Sequence, residues 1–176
     1  MSVLRGGNDL VRNLSRSFLD PMQIEVKYLA DHPELIHLMA TWFIDEWGKN
    51  NPSLTVANIE HRIRERMNRD KLPLCLLAFV ESQPVGTATL KIREMEIYPQ
   101  FEHWLGNVYV LPEYRNQGVG SYVVGNAAEK AKLLGIRDLY LYTRNREHLY
   151  QRIGWKLIEQ VDYRGRRASI MKREFN

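Results

Sequence analysis

Residues 108–121, with the sequence VYVLPEYRNQGVGS, constrain the fold most, because strand-forming residues run directly into a glycine-containing turn. The segment begins with β-branched and aromatic residues, and a helical pattern follows Gly118 and Gly120. Glycine lets a ligand approach the backbone closely, and the first N–H groups of a helix point outward at the positive end of its dipole. The segment therefore predicts a strand, a turn and a helix that bind an anion such as a pyrophosphate.

Two common phosphate-binding patterns are excluded by spacing. A P-loop needs Gly-Lys-Ser or Gly-Lys-Thr, and neither occurs in the chain. A dinucleotide fingerprint needs a third glycine at position 123, where the chain has Val123, and the next glycine is Gly125. The glycine-containing pattern left to be explained is Arg-Asn-Gln-Gly-Val-Gly at residues 115–120.

This pattern resembles the Arg/Gln-x-x-Gly-x-Gly/Ala motif of the GCN5-related N-acetyltransferase (GNAT) superfamily. Residues 104–110 and the following Leu-Pro-Glu-Tyr resemble the central strand of that family and its exit, and residues 148–155 resemble its Phe-Tyr-x-x-x-Gly-Phe signature. The resemblance covers about residues 22–173. It implies an α/β (α+β) fold with a mixed central β-sheet of about seven strands, flanked by about four helices.

The periodicity of the remaining chain predicts the same order of elements. Strands are predicted at residues 22–29, 74–80, 85–92, 136–143, 154–161 and 168–173, and helices at 31–48, 55–68 and 122–134. Arg62, Arg64 and Arg66 are interpreted as the solvated face of the second helix. We expect residues 1–20 to form a poorly ordered N-terminal extension and residues 21–176 to form one N-acetyltransferase domain.

Composition narrows the class of protein. The 25 basic residues are spread among 21 acidic ones, so no tract for nucleic acid is predicted. Cys75 lies in an apolar run and is expected to be a buried thiol. The chain has no apolar run of about 18 residues and no apolar signal core, so we expect a cytoplasmic protein without a membrane partner. We expect it to be a monomer or a homodimer.

The resemblance implies acetyl-CoA as co-substrate, no metal, and transfer of the acetyl group to a primary amine by direct attack. It also implies that the central strand separates from its neighbour near Tyr109 and Val110. The expected cofactor-binding residues are two strand residues whose backbone faces the ligand, one arginine, and a run of backbone N–H donors. They are Val108, Val110, Arg115, Gln117, Gly118, Val119, Gly120 and Ser121.

The resemblance also implies catalytic roles. Tyr150 matches the signature tyrosine and is the expected general acid, since a phenol that titrates near about pH 10 stays protonated at neutral pH. The family's glutamate on the central strand is replaced by Trp104, so the adjacent Glu102 and His103 are the candidate bases. Glu94 and Glu96 on the preceding segment are alternatives, and a water chain would need none of the four. Thr143 stands where many relatives have asparagine, with Asn145 nearby.

The acceptor is expected to be a small-molecule amine or a peptide N-terminus. Residues 72–76, Thr143 and residues 148–155 partly resemble the animal actin N-terminal acetyltransferases. Three arginines of the last hairpin, Arg164, Arg166 and Arg167, would suit an acidic peptide or an anionic small amine. A catalytically inactive CoA-binding or sensor module is the alternative function. A nucleic-acid binder is disfavoured, because no aromatic stacking strand accompanies the arginines.

Overall fold

A computed structural model describes residues 22–49, 51 and 53–176, and their strands form one seven-stranded sheet in the order β1-β2-β3-β4-β5-β7-β6. The strands are β1 Ile24–Tyr28, β2 Leu74–Val80, β3 Gln83–Ile92, β4 His103–Val110, β5 Asp138–Thr143, β6 Lys156–Tyr163 and β7 Arg166–Glu174. The β4–β5 pair is parallel and the other neighbours are antiparallel. The predicted mixed seven-stranded sheet is confirmed.

Four α-helices flank this sheet, as predicted: α1 Ile36–Phe43, α2 Val56–Arg64, α3 Val119–Leu133 and α4 Glu147–Arg152. The predicted helix at 31–48 is a composite. A 3-10 turn at Pro33–Leu35 precedes α1, and a π-helical turn at Ile44–Gly48 follows it. π-helical turns are rare and occur frequently at functional sites.

The sheet is covered on both faces, which explains the continuous apolar run of β2. On one face, Val123 and Ala127 of α3 pack in a cluster with Leu76 and Ala78 of β2. On the opposite face, helices α1 and α2 pack on Cys75 and its alternate neighbours along the strand. The Cys75 side chain is fully buried, as predicted, and burial raises the pKa of its thiol.

Two of the boundaries that differ from the prediction, those of α3 and α2, have local backbone causes. Helix α3 begins three residues earlier than expected, directly after Gly118, whose φ of 89° is a left-handed conformation that favours glycine. Helix α2 begins at the Thr55 cap, whose Oγ1 accepts a hydrogen bond from the Asn58 N–H, but it ends at Arg64 instead of continuing to 68. Beyond it, the Arg66 carbonyl accepts a hydrogen bond from the Cys75 N–H at 3.1 Å, which ties this segment to β2.

The expected N-terminal extension, residues 1–20, lies outside the described residues. None of the helices in the described part of the chain is long and apolar enough to cross a membrane. Within the same part of the chain, no group of three or more His, Cys, Asp or Glu side chains could hold a metal ion.

Candidate active site

The parallel strands β4 and β5 separate towards their carboxyl ends. Among the described residues they pair at a single register position, Trp104 with Tyr140. On the other side of β4, Gly106 pairs with Thr89 and Tyr109 pairs with Thr87, so two β4 residues oppose one β3 residue. Such a bulge bends the strand and redirects side chains. The family resemblance implied a separation near Tyr109 and Val110, and among the described residues the pairing ends earlier, at Trp104.

The N-terminus of α3 presents backbone donors beside this gap. The first backbone hydrogen bond of the helix runs from the Tyr122 N–H to the Gly118 carbonyl at 2.9 Å, and no side chain caps this end. The N–H groups of Val119, Gly120 and Ser121 therefore have no acceptor within the helix. Together with the helix dipole they form a site that favours an anion.

The two motif glycines have different geometric roles. Gly118 needs its left-handed conformation, and a Cβ built on it would have no neighbour within 4 Å. Gly120 lies in the helix, and its Cβ would lie 3.6 Å from Val110 Cγ2, an ordinary contact. A side chain at position 120 would therefore be tolerated by the protein but would project towards the donor site.

These elements line one cleft of about 880 Å³. Of the expected cofactor-binding residues, Val108, Val110, Arg115, Gly118, Gly120 and Ser121 line it. Gln117 and Val119 do not: the Gln117 side chain donates to the Glu113 carbonyl at 2.6 Å, and the Val119 side chain is buried in the core. Only the backbone groups of these two residues would be available to a ligand.

The cleft is strongly basic. Eight cationic side chains line it: Arg62, Arg66, Lys91, Arg115, Arg144, Arg146, Arg152 and Arg166. Among the described residues, Glu46 and Glu94 are the carboxylates in its lining. A cleft of one dominant charge concentrates ligands of the opposite charge, which here are anions.

Arg115 connects the donor site to the region after α1. Its Nε donates to the Val110 carbonyl at 2.8 Å, and its Nη2 lies 2.9 Å from Glu46 Oε2. Its guanidinium also lies over the ring of Tyr109, at 5.6 Å from the centroid. Glu46 belongs to the π-helical turn, so this turn brings an acidic side chain to the cleft that sequence reasoning missed.

Tyr150 lies on α4 with its ring 6.1 Å from that of Trp155 in an edge-to-face arrangement. Its side chain is 8% exposed and lines the cleft. No hydrogen bond from another described residue contributes to the state of its hydroxyl. Burial raises the pKa of Tyr150 to about 12. The phenol is therefore protonated at neutral pH, with its hydroxyl uncommitted to the protein.

The buried phenol leads to a prediction about alkaline stability. Since the pKa of Tyr150 is about 12 in the folded state, above the ordinary value, its contribution to stability is complete below about pH 10 and is lost as pH rises towards 12. The shift corresponds to about 3 kcal/mol. Denaturant unfolding at pH 8 and pH 11 should show a smaller alkaline loss for Tyr150→Phe than for the wild type. Equal losses for the two proteins would contradict this assignment.

The candidate bases lie in different places. Glu102 and His103 are at the start of β4, outside the cleft lining, and His103 pairs with Ile92 in the sheet. Glu94 lines the cleft and lies 2.7 Å from the Lys91 ammonium. Glu96 accepts hydrogen bonds from its own backbone N–H, from the Tyr163 hydroxyl and from Arg164, and these bonds hold its pKa at about 2.

Arg66 corrects one interpretation of the sequence. It is half-buried instead of lying on a solvated face, and its Nη1 donates to Asn107 Oδ1 at 3.0 Å. Burial lowers the pKa of the Arg66 guanidinium. The interpretation was wrong because α2 ends at Arg64, so the helical periodicity no longer applies at position 66.

Lys91 is a second cation that the sequence did not indicate. Its ammonium extends over Gly106, where a Cβ would lie 3.0 Å from Nζ, and burial lowers the pKa of the lysine. Any larger residue at position 106 would displace this side chain. The glycine in the middle of a strand was the available signal, since strand glycines often mark a close approach.

Thr143, which departs from the family pattern, has a local structural role. Its Oγ1 accepts a hydrogen bond from the Arg146 N–H at 3.1 Å and so stabilises the turn into α4. Asn145 lies in the same turn and lines the cleft together with Thr143. The turn therefore retains an amide side chain near the position where relatives have one.

Sequence comparison identifies a family for this chain. The sequence profile described as "Acetyltransferase (GNAT) family" matches residues 35–155, more than half of the chain. A segment of 55 residues is 40% identical to an amino-acid acetyltransferase of Aeromonas salmonicida (strain A449). That match covers 31% of this chain but 12% of the relative, so it concerns a small part of that protein.

Solved structures agree in fold. An acetyltransferase of the GNAT family from Streptococcus pneumoniae superposes with a TM-score of 0.66 at 20% identity, covering 88% of this chain and 100% of the other. An aminoglycoside 6'-N-acetyltransferase complexed with coenzyme A gives a TM-score of 0.65 at 14% identity, covering 87% and 97%. At such identities the likeness concerns the fold alone. With the profile match over residues 35–155, it establishes that the chain belongs to the acetyltransferase (GNAT) family of acyltransferases.

Proposed function

We propose that the protein is an acetyl-CoA-dependent N-acetyltransferase that moves an acetyl group to a primary amine by direct attack through a tetrahedral intermediate. The observation that carries this proposal is the presence, in one basic cleft, of unbonded helix N–H groups and a buried tyrosine hydroxyl without a protein partner. The N–H groups suit a diphosphate, and the tyrosine hydroxyl can give a proton to a leaving thiolate.

The residues fit the proposed co-substrate by the chemistry of their donors. The N–H groups of Gln117, Gly118, Val119, Gly120 and Ser121 would hold the diphosphate. Arg115 would add positive charge, although its hydrogen bonds to Glu46 and Val110 show that it also has a structural role. The backbone of Val108 and Val110 would contact the pantetheine arm, with the Val110 N–H near the thioester carbonyl.

In the proposed reaction the amine nitrogen bonds to the thioester carbonyl carbon, and the carbon–sulfur bond breaks as the intermediate collapses. The thiolate takes a proton from Tyr150, and the nitrogen loses one. This transfer leaves Tyr150 as a phenolate. Because a phenol of pKa about 12 is a weaker acid than a thiol of pKa about 8.5, the phenolate is the stronger base, and we expect it to take up the proton that the nitrogen loses. No covalent enzyme intermediate is required.

The general base remains a proposal with several candidates. Glu102 and His103 would act only through intervening water, because they lie outside the cleft lining. Glu94 is in the lining, and its carboxylate is paired with the Lys91 ammonium. Proton loss through a water chain is compatible with all of these positions.

The proposed acceptor is a small-molecule amine or a peptide N-terminus. Relatives and structural neighbours are named for amino acids, aminoglycosides and spermidine, which are all amines. The partial likeness to the animal actin N-terminal acetyltransferases adds the N-terminus of a protein to these candidates.

The experiment that tests the function is a thiol-release assay with acetyl-CoA over a panel of amines, polyamines, aminoglycosides and peptides. We expect release above the rate without acceptor, and a mass increase of one acetyl group on the acceptor. Thermal unfolding checks ligand binding independently: CoA at 100 times its dissociation constant should stabilise the fold by about 2.7 kcal/mol. Stabilisation by CoA with no transfer to any acceptor would favour the inactive CoA-binding module instead.

A further inference from the structure

Several arginines that line the cleft have no ion pair with a carboxylate among the described residues, and two of these, Arg66 and Arg144, are half-buried. Arg66 follows α2, and its hydrogen bond goes to the neutral amide of Asn107. Arg144 follows β5, and its Nη2 lies 3.5 Å from the Tyr163 carbonyl. Its Nη1 is shielded from solvent and has no hydrogen-bond partner. A shielded guanidinium donor without an acceptor is unfavourable unless a ligand supplies one.

The acidic groups nearby are already paired with other cations. Glu94 lies 2.7 Å from Lys91, and Glu96 lies 3.1 Å from Arg164. Among the described residues, Arg66 and Arg144 are then the half-buried cations of the cleft lining that have no ion pair. The hairpin arginine Arg164 is thus committed to Glu96.

Arg66 and Arg144 both line the cleft that contains the gap between β4 and β5. Asn107, which binds Arg66, and Thr143, which precedes Arg144, line the same cleft. Arg66, held by Asn107 of β4, and Arg144, directly after β5, therefore belong to the walls of one cleft.

The bulge in β4 contributes to this arrangement. Asn107 is at the bulge and has a φ of 47°, a left-handed conformation that asparagine tolerates better than most residues. Its backbone carbonyl accepts a hydrogen bond from Thr87, while its side-chain oxygen accepts one from Arg66. The guanidinium is thereby held towards the gap instead of turning to solvent.

This pair of arginines is separate from the diphosphate donors of α3. Asn107 precedes Val110 by three residues, or about 10 Å of strand, and the α3 donors lie beyond Val110 along the chain. An anion bound by Arg66 and Arg144 would therefore belong to the second substrate. Guanidinium groups bind carboxylates through paired, charge-assisted hydrogen bonds.

Resting on the proposed function, we propose that the acceptor amine carries a carboxylate that binds between Arg66 and Arg144. The acceptor is then an acidic amino acid or a peptide with an acidic residue near its N-terminus. The carboxylate orients the amine towards the thioester end of the cleft.

The test compares matched acceptors with matched variants. One set is a peptide with Asp at its second position and the same peptide with Asn or Lys there, and a second set is free glutamate and glutamine. Arg66→Gln and Arg144→Gln should each lower kcat/KM for the Asp peptide or for glutamate by roughly 10- to 100-fold, the usual effect of losing a charged hydrogen bond. The amide acceptors should change by less than about threefold, since they lack the charge that the arginines bind. The set that responds identifies the source of the carboxylate.

Arg137→Gln is the control, because Arg137 is exposed, lies between α3 and β5 and is outside the cleft lining. It removes the same charge and should leave acceptor preference unchanged. The dissociation constant for CoA should also stay the same in Arg66→Gln and Arg144→Gln. If these two variants weaken CoA binding as much as they weaken acceptor use, the arginines serve the co-substrate and the proposal is wrong.

Two further outcomes separate this proposal from the proposed function. If transfer occurs but lysine-containing peptides or polyamines are preferred, the function stands and the carboxylate site is refuted. If no acceptor is acetylated, calorimetric titration of CoA-loaded protein with the Asp and Asn peptides still tests the carboxylate site. Preferential binding of the Asp peptide that Arg144→Gln abolishes would support the site, and equal binding of both peptides would refute it.

Discussion

Replacing Tyr150 by phenylalanine is expected to lower turnover with acetyl-CoA by about 10²-fold or more, the usual effect of losing a general acid. The substitution removes the hydroxyl and keeps the ring, so the edge-to-face contact with Trp155 remains. Since the hydroxyl makes no hydrogen bond to the described protein, none is lost in the variant. Single-turnover kinetics should show that the chemical step alone is slowed.

The matched control is Tyr140→Phe. Tyr140 is also buried, with 9% exposure, and burial raises its pKa, but it lies outside the cleft lining. This control should keep wild-type turnover, and both variants should bind CoA with unchanged affinity. Near-wild-type turnover of Tyr150→Phe, measured where chemistry limits the rate, would remove Tyr150 from the mechanism.

The second large effect is expected at the N-terminus of α3. Gly120→Val should raise the dissociation constant for CoA by roughly 10²-fold, or about 2.8 kcal/mol, because its side chain would occupy the space in front of the unbonded N–H groups. A Cβ at position 120 would make an ordinary contact of 3.6 Å with Val110 Cγ2. CoA titration by calorimetry, with thermal unfolding of the free protein, measures both quantities.

Gly125→Val provides the control on the same helix. Gly125 is absent from the cleft lining, and a Cβ there would have no neighbour within 4 Å. This variant should bind CoA normally, which separates a general effect of valine in α3 from the local effect at position 120. A Gly120→Val protein that folds and binds CoA with wild-type affinity would show that the diphosphate is held elsewhere.

Local patterns were sufficient to predict most elements. The apolar run of residues 74–80 and the glycine-containing turn before α3 predicted a buried strand and a helix, and both are present. These predictions succeed because hydrophobic periodicity and turn chemistry act over a few neighbouring residues. The end of α2 was less predictable, since the Arg66 carbonyl accepts a hydrogen bond from Cys75 of β2, a contact that helical periodicity does not indicate.

The sequence by itself determined the family motifs, the order of strands and helices, and the candidate donors at the start of α3, because each depends on short-range spacing. Tertiary structure alone decided which charges face the cleft. Arg66 and Arg144 are 78 positions apart in the sequence, and folding brings both to the lining of one cleft. Folding also brings Glu46 into contact with Arg115, and Glu96 into contact with Tyr163 and Arg164. The distance between charges and their burial set these pairings, and neither quantity can be derived from position along the chain.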